Sequence, residues 1–66
     1  MKNSIKVERA RQNLTQQDLA DRLHVSRQTV NAIEKGKFNP STVLALKISL
    51  VFGVPVNEIF SLEPED

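Results

Sequence analysis

Along the chain, apolar side chains recur three and four positions apart, in runs separated by residues that cap or break helices. Leu19 and Leu23 stand one turn apart behind Thr15, whose hydroxyl can cap a helix while Asp18 answers it three residues on. Val30 and Ile33 form the next stripe, behind the capping residue Ser26. Helices are therefore predicted over residues 16–23 and 27–34. An earlier helix is predicted from about Ser4 to Gln12, capped by Asn3 or Ser4, with Asn13 and Leu14 as its connector. Gly36 suits the left-handed backbone that ends a helix, and Pro40 keeps Asn39 out of the helical region. Ser41 caps a fourth helix, about Thr42 to Phe52, and Gly53 stops it. Pro55 opens a short fifth helix ending near Phe60, after which Phe60-Ser61-Leu62 has the composition to add a strand. The expected class is all-α: one compact five-helix domain over residues 1–66.

Only His24 and Val25 separate Leu23 from the cap at Ser26. So short a connection forces the two helices to cross sharply, and residues 16–34 are expected to form a helix-turn-helix. At about 100° per residue, Arg27, Gln28, Asn31 and Lys35 share one arc of the second helix, opposite Val30 and Ile33. Glu34 lies at the border of that arc. Ordinary solvated faces also carry Arg, Gln and Asn, but their forked donors and acceptors are those that match guanine and adenine edges in the major groove. Caps, turn length and face composition agree on double-stranded DNA as the partner. Arg27, Gln28 and Asn31 are the candidate base readers, with Gln17 able to reach either a base or a phosphate. Gln16, at a positive helix end, is a candidate phosphate contact. Ser26, Thr29, Lys35, Lys37 and Asn39 are the remaining backbone candidates, although capping alone would account for Ser26 and solubility for the lysines.

Gln16, Leu19-Ala20, Leu23, Val25-Ser26, Val30, Ile33-Glu34 and Gly36 together resemble the lambda-repressor/Cro-type helix-turn-helix family. The similarity continues through Asn39-Pro40-Ser41 and the ending Pro55-Val56-Asn57-Glu58-Ile59-Phe60, and it is nearest the small stand-alone regulators of cytolysin-repressor type. The resemblance implies a lambda-repressor-like fold and a transcriptional regulator that reads DNA as a dimer. It also implies an ion pair between Arg9 and Glu34, tying the first helix to the end of the third. One departure is His24, where the family often has Gly; if that position needs a positive φ, His is tolerated less easily.

Charge sharpens this picture. The net charge of +1 conceals a basic half, with eight Lys or Arg against four Asp or Glu in residues 1–37, and an acidic half with one against four in residues 38–66. The basic half coincides with the helix-turn-helix, where phosphates would be met. No Cys is present, so there is neither a disulfide framework nor a thiol nucleophile. The single His has no second His or Cys with which to hold a metal, no cofactor is expected, and the two Gly residues form no phosphate loop. An enzyme is thereby excluded. A charged first helix and the lack of an apolar run near the roughly 20 residues of a membrane span point to a cytoplasmic protein.

The fourth helix is apolar almost all round, more than so small an interior can absorb. The surplus is expected to form a dimer contact within residues 50–62, through Val54, Val56, Ile59, Phe60 and Leu62. A homodimeric repressor on a palindromic operator is the leading expectation. The alternative is an antitoxin or restriction-modification controller whose main partner is another protein.

Overall fold

The computed structural model describes all 66 residues. Its elements run β1 (Lys2–Asn3), α1 (Ile5–Arg11), α2 (Gln16–Leu23), α3 (Arg27–Glu34), α4 (Thr42–Phe52), α5 (Val56–Ile59) and β2 (Phe60–Ser61). Three of the five helices start on hydroxyl caps. Thr15 accepts from the Asp18 amide while the Asp18 carboxylate accepts from the Thr15 amide, a complete capping box. The bond its carboxylate accepts from the Thr15 amide foremost, and the Thr15 hydroxyl beside it, hold the Asp18 carboxyl below its ordinary range, aided by the charge of Arg22. Ser26 accepts from the Thr29 amide and Ser41 from the Leu44 amide. At α1 the capping work falls to Asn3, whose Oδ1 accepts from the Ile5 amide at 3.2 Å; Ser4 occupies the cap position without a side-chain bond.

Ile5, Leu19, Ala20, Leu23, Val30, Ile33, Ile48, Phe52, Ile59 and Phe60 make one continuous core, with one apolar face of every helix turned into it. His24 adopts a left-handed conformation, φ 58°, which is the backbone demand that favours Gly at this turn. Gly53 ends α4 in the same region, φ 68°, with nothing within 4 Å of where a Cβ would stand. Any cost of adding a side chain there is therefore conformational rather than steric. Gly53→Ala should lower stability by about 1 kcal/mol, and Gly53→Asn by less, measured by thermal unfolding.

Two features differ from expectation. The strand at Phe60–Ser61 does form, but its partner is Lys2–Asn3 at the other end of the chain, paired antiparallel in register Lys2 with Ser61 and Asn3 with Phe60. A two-residue segment carries too little pattern to announce itself. The pairing draws the chain ends together: the Met1 ammonium lies 2.9 Å from an Asp66 carboxylate oxygen and 3.3 Å from Glu63. The second difference is the apolar surplus. Ile59 and Phe60 are buried in the core, and Val54 and Val56 pack half-buried against it, so this part of the expected dimer contact is largely withdrawn from solvent. Of the five, only Leu62 stands clear, at 79% exposure. The remaining surplus lies on the outer face of α4, where Val43, Leu46 and Leu50 follow one another at helical spacing.

Candidate nucleic-acid interface

Because Val30 and Ile33 are anchored in the core, the opposite arc of α3 is turned outward. Arg27, Gln28 and Lys35 on that arc are exposed, and Asn31 is half-buried at its centre. Lys37 and Asn39 are exposed in the turn that follows. The Ser26 and Thr29 hydroxyls lie 3.0 Å apart at the start of α3 and bond one another, so both are partly occupied within the protein. Gln17 is exposed at the start of α2 and donates to Asp21 one turn later, at 2.8 Å.

Behind this arc is a polar recess of about 440 Å³ lined by Lys6, Arg9, Gln16, Asn31, Glu34 and Lys35. Arg9 is its anchor. Its Nε donates to Glu34 Oε2 at 2.7 Å and its second terminal nitrogen to Oε1 at 3.1 Å, a bidentate pair with both side chains mostly shielded. The first terminal nitrogen donates to the Leu14 carbonyl at 3.0 Å, so one guanidinium ties α1, the entry to α2 and the end of α3. Gln16 reaches into the same recess rather than outward, donating to Asn31 Oδ1 at 3.1 Å and to Glu34 Oε1 at 3.4 Å. The Asn3 side chain fixes the far end of α3 by donating to the Ile33 carbonyl at 2.9 Å. The outer arc of α3 is thus braced from α1, α2 and β1 together.

Several placements around this surface were not evident from the sequence. Lys6, which reads as an ordinary solvated charge on α1, helps to line the recess. Phe38 is half-exposed beside Ser26, Gln28, Thr29 and Ala32, in a shallow notch on the flank of α3. An aromatic following two lysines in the loop after α3 was the available signal. Glu8 is buried, with its carboxylate accepting from Arg11 at 3.0 Å, and nothing in its local spacing distinguishes it from the exposed acids.

A helix that carries Arg, Gln and Asn on its outer arc, set across a tight turn from a capped supporting helix, defines a DNA-binding helix-turn-helix. This chain belongs to the Helix-turn-helix family, whose model matches residues 5–59. It is similar to an uncharacterized HTH-type transcriptional regulator of Methanocaldococcus jannaschii, 56% identical over 66 residues and covering the whole of both chains. A Bacillus subtilis protein described in the same words is 47% identical, again over the whole of both. One from Archaeoglobus fulgidus is 46% identical over all of this chain and 93% of its own. No helix is long and apolar enough to cross a membrane.

Proposed function

We propose that the chain is a sequence-specific transcriptional regulator that binds double-stranded DNA through α3, as a homodimer on a palindromic operator, and acts as a repressor. The observation that carries this reading is the exposed arc of Arg27, Gln28 and Lys35 around a braced Asn31, in the basic half of the chain. Arg27, Gln28 and Asn31 read bases; Lys35, Lys37 and Asn39 meet phosphates, with Gln17, Ser26 and Thr29 at the near edge. The relatives named as HTH-type transcriptional regulators support the regulatory role. Repression needs no more than occupancy, since a bound helix denies the groove to other proteins.

Dimerisation is supported by the exposed apolar side chains, with the outer face of α4 added to what Val56, Phe60 and Leu62 still present. Leu46 and Leu50 on α4 are exposed, and Leu46 also borders a groove of about 240 Å³ shared with Met1, Pro40, Ala45, Val56 and Phe60. The groove takes no residue from α2 or α3, which leaves both free for DNA. The same apolar face favours the alternative of an antitoxin or controller bound to a different protein. Sedimentation of the purified chain separates the two: a stable dimer supports the homodimeric reading, and a monomer at micromolar concentration favours the other.

Selection from random duplexes tests the DNA reading, which expects one enriched motif with two-fold symmetry. On that motif Arg27→Ala and Gln28→Ala should each lose about 1–3 kcal/mol of binding while weak non-specific binding persists. Wild-type affinity in both variants would overturn α3 as the reading face.

A further inference from the structure

Gln16, Glu34 and Arg9 do more than brace Asn31, because the chemistry of the four groups admits only one arrangement of their protons. Arg9 is donor-only and Glu34 as a carboxylate is acceptor-only. With Arg9 bidentate on it, Glu34 presents Oε1 toward Gln16 at 3.4 Å. The Gln16 amide must therefore turn its Nε2 toward Glu34, since its carbonyl there would set acceptor against acceptor. The same Nε2 lies 3.1 Å from Asn31, so the Asn31 atom facing it must be the acceptor Oδ1. The Asn31 Nδ2, with two N–H groups, is left to point away from Gln16.

We propose that Arg9, Glu34 and Gln16 form a relay that fixes the orientation of the Asn31 amide, making Gln16 a specificity-determining positioning residue and Asn31 a reader of hydrogen-bond acceptors on a base edge. This rests on the reading that α3 lies in the major groove. An Asn whose amide can rotate presents either a donor or an acceptor and discriminates poorly. An Asn held with Nδ2 outward donates to a purine N7, a guanine O6 or a thymine O4 and is refused by the cytosine N4 amine, which is itself a donor. The ion pair, itself mostly shielded, thereby decides what a neighbouring side chain can recognise. Gln16 acts through Asn31 instead of serving as a phosphate contact.

The relay is tested by repeating the duplex selection with Asn31→Ala, Gln16→Ala, the double variant and Gln16→Lys, with circular dichroism to establish that each is folded. Gln16 and Asn31 are both partly exposed, so these substitutions leave the core intact. Asn31→Ala and Gln16→Ala should each erase a preference of about tenfold or more at the same base pair. The double variant should lose no more than either single one. Gln16→Lys still donates to Oδ1 and should keep the wild-type preference at that base pair. A uniform loss of affinity across all sequences in Gln16→Ala would make Gln16 a phosphate contact and overturn the relay while leaving Asn31 a base reader. Relaxation at a different base pair, or loss of the preference in Gln16→Lys, would overturn it equally. An unchanged motif in Asn31→Ala would overturn Asn31 as a base reader and the relay with it. Failure of the wild type to select any motif would instead overturn the DNA reading itself.

Discussion

Glu34→Ala should lower the stability of the fold by about 3 kcal/mol, because it leaves the Arg9 guanidinium shielded from water without its charge partner. The Glu34 side chain is only 8% exposed and that of Arg9 14%, so neither can recover full hydration by swinging outward. Chains of this length commonly hold about 3–10 kcal/mol in total, which makes the loss a large share of the whole. The variant should show a sharply reduced urea midpoint, with a sizeable unfolded fraction in water. Joint replacement, Arg9→Met with Glu34→Leu, should restore most of the stability, since matched apolar groups carry no stranded charge. A Glu34→Ala midpoint equal to wild type would mean that the pair contributes nothing. A double variant no better than the single one would locate the loss in packing instead.

The second large effect is expected at the apolar face of α4. Leu50→Glu and Leu46→Glu should each give a folded monomer whose operator affinity falls by about a hundredfold to ten-thousandfold. The loss exceeds any single contact because a dimer binds its second half-site as an intramolecular event. Its two recognition helices would enter successive major grooves about 34–36 Å apart. Leu50 is 83% exposed, so a glutamate there costs the monomer little, and a retained helical spectrum is part of the expectation. Leu62→Glu is the companion test for the C-terminal edge. Wild-type sedimentation and wild-type operator affinity in all three variants would remove this face from the interface.

The helices were legible wherever their determinants are local. Thr15 with Asp18, Ser26, Ser41 and Gly53 each act within one turn of where they stand: α2, α3 and α4 start at the three hydroxyls, and α4 stops at Gly53. The first helix was expected to reach Gln12 but ends at Arg11, and Gln12 instead donates its side chain to the Phe52 carbonyl at the end of α4. That bond spans elements remote in sequence, and no spacing rule can announce it. Helix α4 hid its orientation for a different reason. Nearly every position is apolar, so periodicity cannot tell Ile48 and Phe52, which are buried, from Leu46 and Leu50, which are not. At the candidate interface the outward orientation of the Arg27, Gln28 and Lys35 arc of α3 followed from angular position alone. The inward turn of Gln16 did not, because it depends on how α1, α2 and α3 converge on one carboxylate.

The antiparallel pairing of Lys2–Asn3 with Phe60–Ser61 bears on how the molecule assembles. Contacts between α2 and α3 close over a few residues and need little chain ordering, whereas β1 must find a partner almost the full length of the chain away. The helix-turn-helix can therefore gather early, with the terminal ribbon arriving last. In the finished protein the ribbon has only two residue pairs, and of its four residues only Phe60 is buried in the core. Asn3 belongs to that ribbon and holds the end of α3 through the Ile33 carbonyl. A short ribbon that closes the longest loop in the chain is thus fastened directly to the helix proposed to meet DNA.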